Sequence, residues 1–161
     1  GQAGPIFLPY LSGERTPHND PGATGSLTGL THDTDRAAVG RAVLEGVAFA
    51  LADGWDALAA AGTRIGDVSL IGGGSRSLLW GRILATVLDR PLLLHDASAL
   101  GPAYGAARLA RLAVHGEPAD TVCTPPPVVR EVAPVSSWRS GLDDRRERYR
   151  RVYPALTEAP P

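Results

Sequence analysis

The stretch "DVSLIGGGSRSLLW", residues 67–80, decides the fold. It begins with the aliphatic and β-branched residues of a short strand, passes through Gly72, Gly73 and Gly74, and ends where an amphipathic helix begins. A glycine lets the backbone approach a ligand closely, and a helix start presents free N–H groups and the positive end of the helix dipole. The stretch therefore predicts a binding site for an anion, most simply a phosphate.

Upstream of this stretch, the sequence predicts two strands and a long buried helix. The apolar runs at residues 6–11 and 26–30 are separated by turn residues and are typical of strands. Thr34 and Asp35 are N-cap candidates for the helix, and Gly62 is placed to end it. The apolar positions that follow the helical period, and that we expect to face the core, are Val39, Val43, Val47, Ala50, Leu51, Ala57, Leu58 and Ala61.

Downstream of the glycines, predicted helices alternate with a predicted strand. The pattern predicts a helix over residues 77–88, a strand over 91–95 and a helix over 102–114. Pro102 suits the first position of that last helix, and Gly116 suits the position just after its end. The order β-β-α-β-α-β-α indicates an α/β fold with a largely parallel sheet covered on both faces.

The remaining chain has a different composition. We divide the sequence into a lobe at residues 1–116, a proline-rich strap with little regular structure at 117–135, and a C-terminal amphipathic helix and tail at 136–161. Acidic residues lie among the arginines of this last segment, which favours a helix docked on the lobe over a nucleic-acid surface. The residues expected on its docking face are Trp138, Leu142, Tyr149, Val152, Tyr153 and Leu156.

Composition excludes several classes of function. The 16 basic and 17 acidic residues give a net charge of −1, so no bulk field recruits nucleic acid or an anionic membrane. No apolar run reaches the roughly 18 residues of a membrane span. The single cysteine, Cys123, is typical of a protein of the reducing cytoplasm. Every basic residue is arginine, which excludes a P-loop, because that motif needs a lysine.

The spacing of the glycines leaves alternatives open. Gly72, Gly74 and Ser77 come close to the G-x-G-x-x-G pattern of a dinucleotide-binding oxidoreductase, with Asp96 placed to bind a ribose. The glycines could instead serve only a tight turn, in a module that binds a protein partner and catalyses nothing. Neither alternative is excluded by the spacing alone.

Polar residues outside the glycine loop are further candidates. Glu14, Arg15 and His18 could shape a cleft near a phosphate, although a turn held by its own ion pairs and hydrogen bonds is the simpler interpretation. Glu45 and Asp53 lie two helical turns apart on one face and are predicted to be buried polar anchors. The other histidines, none of which has metal-ligand spacing, are His32, His95 and His115.

Four segments carry a resemblance to a known family: "FLPYLSGERTPHNDP", "GSLTGLTHDTDRAAVGRAVLEGVAFAL", "LIGGGSRSLLW" and "GPAYGAARLA". In order and spacing they resemble the C-terminal part of the FGGY family of carbohydrate kinases, with coverage from Ile6 to Leu156. Within the family the resemblance is greatest to the kinases of D-xylulose. The positions that match one family signature are Gly25, Leu27, Gly29, Leu30, Val39, Ala42, Val43, Leu44 and Glu45. Ala38 departs from it, because the family has a polar residue there.

The resemblance implies the second lobe of a two-lobed, actin-like and ribonuclease-H-like sugar kinase. ATP, with Mg²⁺, would lie between the lobes, and the other substrate would be a ketopentose. The residues expected to contact the nucleotide are Gly72, Gly73, Gly74, Ser75, Ser77 and Leu78. Where the family often has a polar side chain, Leu78 offers only its backbone and apolar surface.

The resemblance also implies what we do not expect in this chain. The catalytic aspartate of the family lies upstream of it, so we predict no catalytic residue here and no activity for the isolated chain. A partial lobe would expose a sheet edge and apolar surface, which favours a homodimer or low stability.

Overall fold

The computed structural model describes residues 4–96, 98 and 101–157, which form five strands and five α-helices. The strands are β1 (Ile6–Leu8), β2 (Ser26–Thr28), β3 (Val68–Ser69), β4 (Leu92–His95) and β5 (Val128–Val132). The helices are α1 (Arg36–Ala60), α2 (Leu78–Leu88), α3 (Pro102–His115), α4 (Ala119–Val122) and α5 (Arg139–Thr157). The predicted order of strands and helices through α3 is confirmed.

The strands form two small sheets that share one hydrophobic core. β1 pairs with β2 antiparallel, and the second sheet has the order β3-β4-β5, with β3 parallel and β5 antiparallel to β4. Ile6 and Leu8 from the first sheet and Leu70 and Leu92 from the region of the second lie in the same buried cluster. The prediction of a largely parallel sheet is wrong, since β3 and β4 are the one parallel pair among the described strands.

The proline-rich strap contains more regular structure than predicted. Both α4 and β5 lie within residues 117–135, and β5 adds a third strand beside β4. The β-branched run from Val128 to Val132 follows three consecutive prolines, whose turn signal dominates the composition of the segment. The division of the chain at residues 116 and 135 stays a prediction.

Helix α1 has the predicted ends but buries a different face. Asp35 caps it by accepting a 2.7 Å hydrogen bond from the Ala38 amide, whereas Thr34 bonds back to Thr31. Leu51 and Leu58, predicted to face the core, are each 51% exposed. The residues that α1 buries instead are Ala42, Glu45, Gly46, Ala48, Phe49, Ala52 and Asp53.

Close packing explains this choice of face. A Cβ at Gly46 would lie 2.2 Å from the carbonyl oxygen of Phe7 on β1, so α1 sits on the strand through its smallest residues. The two carboxylates on this face, Glu45 and Asp53, are paired with arginines of α5. They are the buried polar anchors that the sequence predicted.

The other helices follow their local signals. Ser77 caps α2 by accepting a hydrogen bond from the Trp80 amide, Pro102 occupies the first turn of α3, and Gly116 ends α3 at a φ of +62°. α5 packs on β1, α1 and α2, and buries Leu142, Arg145 and Tyr149. Leu156, predicted on the same docking face, is 48% exposed. No helix within the described ranges is long and apolar enough to cross a lipid bilayer.

Candidate functional site

The glycine loop lies where the two parallel strands end. Because β3 and β4 run in the same direction, the residues that follow them meet at one edge of the sheet. The Gly72 amide, three residues after β3, donates a 2.7 Å hydrogen bond to the carbonyl of Ser98, three residues after β4. This edge is the one at which open α/β sheets bind ligands.

The loop is held in a bent conformation by its own polar groups. Gly72 has a φ of +81°, a backbone conformation that favours glycine, and it precedes a 3₁₀ turn over Gly73–Arg76. Its carbonyl accepts hydrogen bonds from both the amide and the hydroxyl of Ser75, at 3.1 and 2.8 Å. Ser75 is buried, so its side chain supports the loop from behind and does not face a ligand.

Two amides of the loop are free to bind an anion. The Ser77 amide donates to Gly74, and the Ser77 hydroxyl accepts from the amide of Trp80 at 3.2 Å. Within the part of the chain that the structure describes, the amides of Gly73 and Gly74 donate to no protein acceptor, and both residues are exposed. A phosphate oxygen is the kind of acceptor that such a pair of backbone donors binds.

The six predicted site residues lie within residues 72–78, but their side chains are not equivalent. The Ser75 hydroxyl donates a hydrogen bond inside the loop, and the Ser77 hydroxyl accepts one at the start of α2. Leu78 is 41% exposed and presents apolar surface beside the loop. A Cβ at Gly74 would lie 3.0 Å from the indole nitrogen of Trp80, so this position has little room for a larger residue.

His95 has a role that the sequence analysis missed. Its Nδ1 lies 2.8 Å from the carbonyl of Pro126 and its Nε2 lies 2.9 Å from the hydroxyl of Ser69. A carbonyl only accepts, so Nδ1 donates to Pro126, while Nε2 and the Ser69 hydroxyl share the second hydrogen bond. The ring thus ties β4 to the end of β3 and to the segment before β5, beside a cavity of about 300 Å³ that also borders Ile71 and Tyr104.

A second cavity, of about 710 Å³, lies between α1, α2 and the start of α5. Its walls are mainly apolar and include Leu44, Leu79, Ile83 and Trp138. The glycines of the loop do not line it.

The charged residues that follow β1 contact their own loop and α5. The Glu14 carboxylate accepts a 2.8 Å hydrogen bond from the His18 amide, and the His18 ring stacks on Tyr153 with 3.9 Å between ring centroids. These contacts agree with the simpler interpretation of Glu14 and His18 as parts of a structural turn. Arg15 is exposed.

Two tyrosines of α5 complete the contact with this loop. The Tyr149 hydroxyl donates to the hydroxyl of Tyr10 at 3.1 Å, and burial raises the pKa of Tyr149 far above its ordinary value. The Tyr153 hydroxyl donates to the carboxylate of Asp20 at 2.8 Å, and this hydrogen bond is the main reason that the pKa of Asp20 is lowered. Both hydroxyls therefore fix the loop to the helix.

The chain matches a known sequence profile and known structures. The profile described as the FGGY family of carbohydrate kinases, C-terminal domain, matches residues 1–114. A xylulose kinase from Escherichia coli (strain K12) is 45% identical over 151 residues, which is 93% of this chain and 31% of that protein. The chain therefore spans about a third of the length of this relative.

Solved structures give the same result. A xyloylose kinase from Brucella ovis superposes with a TM-score of 0.83 and 47% identity, over 98% of this chain and 33% of that one. A xylulose kinase from Rhodospirillum rubrum superposes with a TM-score of 0.76 and 31% identity, over 98% of this chain and 31% of that one. The α/β fold is thus that of the corresponding part of these kinases.

Proposed function

This chain belongs to the FGGY family of carbohydrate kinases, and we propose that it forms the nucleotide-binding part of an enzyme that phosphorylates a sugar with ATP. The sugar we infer is D-xylulose, with D-xylulose 5-phosphate and ADP as products, because the relatives described above are xylulose kinases. Membership of this family argues against the two alternatives that the glycine spacing had left open, a dinucleotide-binding oxidoreductase and a non-catalytic module.

The observation that carries the proposal is the pair of free amides at Gly73 and Gly74. They lie in an exposed loop, at the carboxyl ends of two parallel strands, beside the start of α2. Backbone donors of this kind bind phosphate without a lysine, which agrees with the absence of lysine from the chain. Leu78 would offer apolar surface to the nucleotide next to them.

Phosphoryl transfer needs several groups that come from different parts of a kinase. Donors hold the phosphates of ATP, and a carboxylate accepts the proton of the attacking hydroxyl. The described residues of this chain supply the first of these through Gly73 and Gly74, with Ser75 and Ser77 holding the loop in place. We assign the base to an aspartate that this chain does not contain, and we expect the isolated chain to transfer no phosphate.

A metal ion is assigned to none of these residues. Mg²⁺ accompanies ATP in phosphoryl transfer. Among the residues that the structure describes, no group of three or more histidine, cysteine, aspartate or glutamate side chains could hold a metal ion.

We also propose that the protein is cytoplasmic and that it forms a homodimer. The free, exposed Cys123 agrees with a reducing compartment. Large apolar side chains that are more than 60% exposed, and that a second copy could cover, are Leu11, Leu109, Val114 and Val129.

Calorimetric titration of this chain tests nucleotide binding. We expect ADP to bind the natural chain, because the free amides can donate hydrogen bonds to its phosphates, and we expect Gly74→Val to abolish binding. Gly66→Val is the matched control, because Gly66 is an exposed glycine before β3 whose Cβ would meet no atom within 4 Å. Binding of NAD but not ADP, or equal ADP binding by Gly74→Val, would contradict the proposal. The sugar is tested on a longer protein, by comparing kcat/KM for D-xylulose with that for other sugars.

A further inference from the structure

The glycine loop rests on residues at and after the end of β4. The carbonyl of Ser98 accepts hydrogen bonds from the amides of Gly72 and Gly101, at 2.7 and 3.3 Å. The Ser98 hydroxyl accepts a 2.6 Å hydrogen bond from the amide of His95. Ser98 is 8% exposed, so both of its oxygens are committed to interactions inside the protein. We call His95, Ser98 and Gly101 the Ser98 support.

Gly101 touches the loop through its backbone. A Cβ at Gly101 would lie 3.3 Å from the Cα of Gly72 and 3.4 Å from its nitrogen, and these backbone atoms cannot turn away as a flexible side chain would. Gly101 also has a φ of +48°, in the region that favours glycine. The close approach and the backbone conformation both require a glycine at this position.

The Ser98 support is itself fixed from two sides. His95 bonds to Ser69 on β3 and to the carbonyl of Pro126, and the neighbouring amide of Asp96 donates to the carbonyl of Pro127 at 2.9 Å. Pro126 and Pro127 lead directly into β5, which pairs with β4. The support is therefore anchored to all three strands of the second sheet.

We propose that Ser98 and Gly101 are positioning residues of the nucleotide site. They hold Gly72 at its position and φ, and so fix the backbone that leads into the exposed residues Gly73 and Gly74. They touch no ligand themselves, and they act through the Gly72 amide and Cα. That the ligand is a nucleotide rests on the function proposed above. The geometry of the Ser98 support does not depend on that function.

Two glycines at opposite ends of α3 provide a matched pair of variants. Gly101 and Gly116 both have a positive φ, but a Cβ at Gly116 would meet no atom within 4 Å. Gly116 is in the left-handed helical region, at a ψ of +21°, whereas Gly101 has a ψ of −126°. Gly116→Ala therefore controls for a positive φ at one end of α3, and Gly101→Ala alone adds a Cβ against the loop. We expect Gly101→Ala to weaken ADP binding at least about tenfold, because small misplacements of binding groups are costly, and Gly116→Ala to leave it unchanged.

A second measurement does not depend on a nucleotide. Amide hydrogen exchange at Gly72, followed by NMR in this chain, should be faster in Gly101→Ala and in Ser98→Ala than in Gly116→Ala. Ser98→Thr, which keeps the hydroxyl that binds the His95 amide, should restore slow exchange. Unchanged exchange at Gly72 in both Gly101→Ala and Ser98→Ala would overturn the positioning role. If the natural chain binds no ADP, the proposed function fails for this chain, while the exchange rates still decide the inference.

Discussion

Arg145 on α5 and Glu45 on α1 form an ion pair in the core, although they are 100 residues apart in the sequence. Their side chains are only 6% and 2% exposed. Arg145 also donates a 2.8 Å hydrogen bond to the carbonyl of Pro5, just before β1. Glu45 forms a second ion pair, with Arg41. One guanidinium thus joins the last helix, the central helix and the first strand.

Removing Arg145 should destabilise the fold strongly. In Arg145→Ala the buried Glu45 carboxylate keeps only Arg41, and the Pro5 carbonyl loses a donor. Breaking a buried ion pair from one side typically costs about 3–5 kcal/mol of the free energy of unfolding. Urea denaturation measures this loss. The matched control is Arg151→Ala, an exposed position on the same helix, which should change stability by less than about 0.5 kcal/mol. Equal stability of the two variants would contradict the ion pair's role.

Two glycines of α1 should respond to alanine with opposite signs. Gly46→Ala places a Cβ 2.2 Å from the Phe7 carbonyl oxygen, so the helix must move away from β1, at a cost of about 1–3 kcal/mol or more. Gly40→Ala meets no atom within 4 Å and should stabilise the helix by up to about 1 kcal/mol, because alanine is the better helix former. The midpoints of urea denaturation of the two variants test this. A loss of stability at Gly40, or none at Gly46, would show that α1 packs differently.

The hydrogen bond from Tyr153 to Asp20 should make stability depend on pH. The pKa of Asp20 is lowered in the folded protein, first by this hydrogen bond. A carboxyl with a lowered folded pKa adds stability above its unfolded pKa of about 3.9, and this contribution is lost as the pH falls through the folded value. Tyr153→Phe should therefore be less stable than the natural chain at neutral pH, and the difference should shrink below about pH 4.

NMR titration of the Asp20 carboxyl provides the direct check of this prediction. Its midpoint should rise in Tyr153→Phe, because the donor is gone while the ring that stacks on His18 is kept. An unchanged midpoint would assign the lowered pKa to the backbone amides of Gly22 and Ala23 instead.

Local chemistry made the helix ends and the glycine loop predictable. The caps at Asp35 and Ser77 and the glycine after α3 depend on contacts within three or four residues, and such contacts are visible in a sequence. The six residues of the candidate nucleotide site lie within one short segment, residues 72–78, which made the segment visible in the sequence. Their contact with a nucleotide stays a prediction.

Long-range partners explain what the sequence could not predict. The contact of Ser98 with Gly72 exists only because β3 and β4 are neighbours, and the contact of His95 with Pro126 only because β5 adds to the same sheet. The buried face of α1 depends on arginines of α5 that lie about a hundred residues further along the sequence. The apolar periodicity of α1 therefore predicted the wrong face of the helix as the one that packs on the core. In both cases the residue that determines the contact lies far away in the sequence, so no short stretch of sequence reveals it.

The buried carboxylates of α1 also determine how the helix can be assembled. Hydrophobicity alone would rotate the helix toward Leu51 and Leu58, which remain exposed. A rotation toward them, or a slip by one turn, would separate Glu45 from Arg145 and leave the buried guanidinium without its ion pair. An unpaired buried charge is far more costly than two exposed leucines. Electrostatic matching with α5 therefore selects one orientation of α1 from several that the burial of apolar surface would tolerate.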